Sequence, residues 1–148
     1  MTVELFPSTN NEGVVIAVKI KETKMKTIQP QERKIVNIHD EGVFTAYDPT
    51  EVSETGTHYI QLNPNTRLNE GFYIYRMEPG SSSTPHRHGG AEEFLMIQGE
   101  LIDNDGTIYK QGDVVWLGAG TEHTSRTETG CVIAVYAEAA EERPGSKD

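Results

Sequence analysis

The sequence has one cysteine, Cys131, in 148 residues. A lone thiol excludes an internal disulfide and a thiolate metal cluster. No apolar run approaches the ~20 residues of a membrane span, and Met1 to Ser8 lacks the charged start and apolar stretch of a secretory signal. A soluble, cytoplasmic protein with no membrane partner is therefore expected. Basic residues are few, 13 against 23 acidic ones for a formal charge of -10. No Lys/Arg cluster interleaves with aromatics to track phosphates, which disfavours nucleic acid as a direct ligand. Long helical patterns are also scarce. Hydrophobic residues make up 35% of the chain, and 14 glycines are spread between short apolar runs, the texture of many short strands joined by tight turns.

What is present is chemistry in one stretch, Thr84-Pro85-His86-Arg87-His88-Gly89-Gly90-Ala91-Glu92, answered some thirty residues later by His123. Residues i and i+2 of a strand leave by the same face, so His86 and His88 point together and can chelate a metal. Gly89-Gly90 supplies a turn, and the apolar run after Glu92 pairs back against the histidine strand, returning a carboxylate beside two imidazoles. Three nitrogens and one oxygen suit one divalent ion, iron or zinc first, manganese or nickel next. Glu93 competes with Glu92 for the carboxylate role, because a shift of one residue reverses the face. If Glu92 faces inward, Phe94 and Met96 do too.

Strands are expected at Val14–Ile20, at Ile35–His39 and Val43–Tyr47 around Asp40-Glu41-Gly42, and at His58–Leu62. Further strands are expected at Phe72–Met77, Glu92–Gln98, Leu101–Ile102, Thr107–Tyr109, Val114–Leu117 and Cys131–Tyr136. The turn Asp103-Asn104-Asp105-Gly106 reads as a β-hairpin, because Asn, Asp and Gly tolerate positive φ. Apolar residues on both strand faces imply two packed sheets or a closed barrel, hence an all-β fold in a single domain over 1–148. Within it, 1–67 holds N-terminal strands and loops, 68–138 the metal-binding half and 139–148 a flexible tail. No internal repeat supports a tandem barrel.

The spacing resembles the cupin superfamily. Its first motif runs glycine, five residues, His-x-His, three or four residues, Glu, six residues, glycine, and Gly80, His86, His88, Glu92 and Gly99 hold every place. Gly112, Gly120 and His123 hold places of the second motif, with Gly118 where proline is usual and Thr127 where asparagine is usual. Neither of these is a ligand position, so both departures bear on turn geometry. Two motifs at the right mutual distance cover about half the chain. The resemblance implies a double-stranded β-helix, or jelly-roll barrel, with His86, His88, Glu92 and His123 as metal ligands. Within the superfamily the histidine stretch, Gly120-Thr121-Glu122-His123-Thr124 and Gly130-Cys131-Val132-Ile133 look most like the zinc-binding cupin domain of ChrR-like anti-sigma factors. They also resemble small acetylacetone-type dioxygenases, although those use three histidines without the carboxylate.

Two functional classes follow. One is a metal-dependent dioxygenase acting on a small enol, diketone or phenol, with Arg76 or Tyr75 orienting the substrate. The other is a zinc-loaded sensor or ligand-binding module; a Lewis-acid lyase or isomerase would use the same ligands. Arg76 bears on substrate only if it points into the barrel, where its charge needs an anionic partner. Tyr73, Trp116, Arg126 and Tyr136 lie on or beside barrel strands and could also reach a substrate. His39 and His58 fall outside both motifs, and Cys131 reads as apolar filler. Cupins commonly dimerise, so a homodimer is expected, with Val14–Ile20 pairing onto a neighbouring subunit.

Overall fold

The computed structural model describes residues 2–10, 13–21, 25–47 and 55–143. The chain divides into two compact units, 1–35 and 36–148, where the sequence reading expects one domain. In the first, β1 (Thr2–Asn10) and β2 (Gly13–Lys21) form an antiparallel hairpin running from Thr2↔Lys21 to Asn10↔Gly13. The strand expected at Val14–Ile20 therefore has its partner within its own chain. A single 3-10 turn, Pro30–Glu32, follows.

The second unit is an antiparallel barrel. Its strands are β3 (Thr45–Ala46), β4 (Thr57–Ile60), β5 (Gly71–Met77), β6 (His86–Arg87), β7 (Glu92–Asp103), β8 (Ile108–Lys110), β9 (Val114–Leu117), β10 (Glu122–His123), β11 (Ser125–Arg126) and β12 (Cys131–Ala137). The main sheet runs β11-β7-β12-β5-β4-β3, with β8 and β9 also pairing onto β7, while β6 and β10 form a separate two-stranded ladder. Within this unit, which begins at Val36, β3 and β4 extend the sheet beyond β5. Of the two short strands expected around Asp40-Glu41-Gly42, only Thr45–Ala46 forms.

Period-two alternation decides which residues fill the barrel. Tyr73, Tyr75 and Met77 of β5, Phe94 and Met96 of β7, and Cys131, Ile133 and Val135 of β12 are buried with Leu101 in one cluster. Each large apolar side chain so buried contributes about 1.5–3 kcal/mol. Alternate residues face out: Phe72, Leu95 and Tyr136 are exposed. Arg76 shares the outer face of β5 but is half-buried, and its guanidinium lies 4.1 Å from the Phe44 ring centroid. Cys131 is apolar filler in this cluster, its thiol pushed up to about 11, mainly by burial.

β7 is longer than the sequence pattern suggests, because it does not stop at Gly99. Its first half pairs with β9 and β12, its second with β8 and β11. Gly99 has φ +78° beside a register shift at Val132/Ile133, so the strand bends there. Its neighbour Thr127 does the turn work of the usual asparagine: its Oγ1 donates to the Glu100 carbonyl at 2.7 Å and accepts the Gly130 N–H at 3.0 Å. At the other departure, Thr121 closes the turn by donating Oγ1–H to the Gly118 carbonyl at 2.7 Å.

Candidate metal centre

The β6–β10 ladder sets His123 directly opposite His86. Beyond it, His88 donates its N–H to the Thr121 carbonyl and accepts from the Gly120 N–H, at 3.0 and 2.8 Å. Two motifs distant in sequence are thereby zipped face to face. The three rings gather with centroids 4.5–5.2 Å apart. Their ligand nitrogens all lie within 4.8 Å of one another.

Each imidazole is aimed by a partner on its Nδ1. His86 Nδ1 lies 2.9 Å from the Thr84 carbonyl, His88 Nδ1 2.9 Å from Thr121 Oγ1, and His123 Nδ1 3.1 Å from Asp103 Oδ1. A carbonyl and a carboxylate only accept, and Thr121 has given its proton to Gly118. All three Nδ1 atoms must therefore be the donors, which leaves every Nε2 free to present a lone pair to the common centre. That arrangement calls for a cation. His86 Nε2 and His123 Nε2 lie 2.9 Å apart, so a proton or a metal ion has to separate them. His88 Nε2 is buried and has no hydrogen-bond partner, a state that costs about 1–3 kcal/mol for a polar atom. The donor set fits a divalent metal.

Glu92 opens β7 and points inward, 7% exposed, with Oε1 3.9 Å from His88 Nε2. Glu93 is exposed. Burial, reinforced by the nearby Glu141 charge and opposed by His123, pushes the Glu92 carboxyl up to about 8. Burial and the other two imidazoles push His88 down to about 4. A metal would replace the proton on Glu92 and meet His88 already neutral.

The sequence reading missed Asp103. It was absorbed into a hairpin turn, yet it lies at the far end of the strand that begins with Glu92. Eleven steps of straight strand would separate the two by roughly 35 Å; the bend at Gly99 returns both to the same histidines. Asp103 also accepts from Tyr109 Oη at 2.8 Å and from Ser125 Oγ. Burial alone would raise this carboxyl, but the hydrogen bonds from His123, Ser125 and Tyr109 outweigh it and hold it below its usual range. Burial would likewise depress His123, and the Asp103 contact outweighs that and raises it. Carboxylate partners of this kind fix ring orientation and ligand basicity. Asp103→Asn should weaken metal affinity about 10–100-fold, read by competition with a chromophoric chelator; unchanged affinity would show that Asp103 does not orient His123.

Beneath the histidines lies a cavity of ≈ 40 Å³ walled by Tyr73, Tyr75, Phe94, Leu101, Ile133 and Val135, with His86, His123, Glu92 and Glu141 at its polar end. Tyr75 is thus on the cavity wall. Arg76 is not brought to the histidines: it is one residue out of phase and lines a separate outer pocket with His39 and Gln98. Trp116, Arg126 and Tyr136 are exposed, Arg126 pairing with Glu128 at 2.8 Å. His58 lies 3.9 Å from Glu78, away from the centre.

The sequence pattern of the ChrR Cupin-like domain matches residues 39–141. The chain belongs to the ChrR Cupin-like family. Among curated proteins none matches this cupin in sequence. Solved structures share its fold. They include an acetylacetone dioxygenase from Acinetobacter johnsonii, 13% identical over 79% of this chain and 78% of that one, TM-score 0.56. The polyketide cyclase RemF from Streptomyces resistomycificus is 16% identical over 78% and 89%, TM-score 0.57. The complex of Rhodobacter sphaeroides SigE with the anti-sigma ChrR gives 22% identity over 55% and 45%, TM-score 0.48. At such identities the first two likenesses show the jelly-roll barrel fold alone. In this cupin the described residues contain no helix long and apolar enough to cross a membrane.

Proposed function

We propose that this cupin is a metal-dependent oxidoreductase of dioxygenase type that acts on a small enol, diketone or phenol. The observation that carries the reading is the convergence of three Nε2 atoms, each aimed by a bonded Nδ1, with His86 and His123 at the polar end of an apolar, aromatic-walled cavity. His86, His88, His123 and Glu92 would hold the metal. An iron ion held there would supply Lewis acidity and redox chemistry. The chain's own contribution is positioning and exclusion of water. Phe94, Leu101, Ile133 and Val135 keep the inner side dry. Tyr73 is held neutral, its phenol raised well above the usual range by burial first and by Glu92 and Glu141 next. Its hydroxyl stays protonated and can only hydrogen-bond a ligand there, and Tyr75 lies beside it on the same wall.

A second reading, the zinc-binding sensor or ligand-binding module, is favoured by the family match and by the size of the cavity. A space of ≈ 40 Å³ is far below the roughly 300–1,000 Å³ of small-molecule pockets. One experiment separates the two. Protein purified without a metal-affinity tag is analysed for bound metal, loaded anaerobically with ferrous iron and offered β-diketones and phenols in an oxygen electrode. The oxidoreductase reading expects oxygen uptake that requires both iron and one of these compounds. Stoichiometric zinc as purified, with no uptake from any member of the panel after iron loading, would overturn it in favour of the sensor.

A further inference from the structure

The chain's last described residues, expected to fray, are instead tied to the histidine loop. Arg87 and Glu142 exchange backbone hydrogen bonds, N–H to carbonyl in both directions, at 2.8 Å each. Four residues back, the Glu138 N–H donates to the Ala91 carbonyl at 2.9 Å, and Glu138 Oε2 accepts the Ala91 N–H at 3.0 Å. Segment 138–142 thus runs as a strap along 87–91.

Its path explains the glycine pair of the metal motif. Neither Gly89 nor Gly90 has positive φ, so the turn itself does not demand them. Space does. A Cβ on Gly89 would lie 2.6 Å from the Ala140 carbonyl oxygen, and one on Gly90 would lie 2.7 Å from Glu138 Cβ and 2.9 Å from the Ala139 nitrogen. The two glycines leave the room in which the strap lies.

The strap delivers Glu141 to the histidines. Its Oε1 stands 3.8 Å from His86 Nε2, matching the 3.9 Å between Glu92 Oε1 and His88 Nε2. Its Oε2 accepts from Tyr47 Oη at 3.3 Å and Asn69 Nδ2 at 3.4 Å, and it shares the cavity wall with Glu92. Metal–ligand bonds near 2 Å place neighbouring donor atoms roughly 3–4 Å apart, and each carboxylate meets that spacing to one imidazole, Glu141 to His86 and Glu92 to His88. Two carboxylates would also neutralise a divalent ion in a site with little access to water.

We propose that Glu141 is a further carboxylate donor to the metal, carried beside His86 by the C-terminal strap. This rests on the reading of His86, His88, Glu92 and His123 as a metal centre. The test uses the full chain with zinc and cobalt as probes. Glu141→Gln keeps the shape and removes the charge; Gly90→Ala leaves every donor intact and obstructs the strap. Zinc affinity, read by chelator competition, should fall about tenfold or more in Glu141→Gln. The visible absorption of the cobalt form should intensify as coordination number drops, and Gly90→Ala should move both readouts in the same direction. Wild-type zinc affinity and an unaltered cobalt spectrum in Glu141→Gln would overturn the role of Glu141 and leave the histidine centre standing. A wild-type protein that takes up neither ion would overturn both.

Discussion

His88→Ala should abolish metal binding while the protein stays folded. The ring is buried, 3% exposed, and contributes the one Nε2 of the three that has no hydrogen-bond partner. Removing it takes out a donor that the metal-free fold cannot otherwise satisfy, so the loss of packing is offset by relief of an orphaned polar atom worth about 1–3 kcal/mol. Thr121 keeps its bond to the Gly118 carbonyl, so the turn that carries His123 survives. The metal has no such substitute. Partners behind the ligands are worth about 10–100-fold in affinity, and loss of a ligand itself should exceed roughly a hundredfold. Elemental analysis after dialysis against a chelator, with circular dichroism for the fold, reads both halves. Full metal retention by a folded His88→Ala protein would sink the assignment of the centre.

Gly99→Ala should be the most damaging single-methyl change in the barrel. At φ +78° an L side chain is strained, by about 1–2 kcal/mol. The added Cβ would also run into the Gly130 carbonyl oxygen and the Cys131 Cα, both backbone of the adjoining β12 approach, which cannot swing away. Overpacking of that kind costs about 1–3 kcal/mol, for a total of roughly 2–5 kcal/mol from a domain whose whole stability is about 5–15 kcal/mol. Because the bend at Gly99 returns both ends of β7 to the histidines, metal affinity should fall with stability. Gly112→Ala is the control: its φ is +93°, but nothing lies within 4 Å of the added Cβ. It should pay the backbone strain alone. Urea unfolding of the two variants measures the difference, and equal losses would show that close approach at Gly99 contributes nothing.

The all-β class, most strands and the histidine face were readable because they are local. Alternation along a strand fixes which of Glu92 and Glu93, or Phe94 and Leu95, faces inward once one residue is placed. Motif intervals fix which residues can meet. The same local logic could not choose a side for Tyr75 or Arg76, since alternation says only that they oppose one another. The packed sheet chose Tyr75 for the cavity and set Arg76 against Phe44 outside.

What the sequence by itself determined is the residue types and the intervals that let three imidazoles converge, with the Glu92 carboxylate beside His88. What only the tertiary structure decided is everything delivered across the barrel: the hairpin partner of β2, the bend that brings Asp103 behind His123, and the strap that sets Glu141 beside His86. Each of these depends on pairing between segments far apart in the chain. No periodicity within either segment encodes such a pairing, because its energy comes from surfaces that exist only after the sheet has closed.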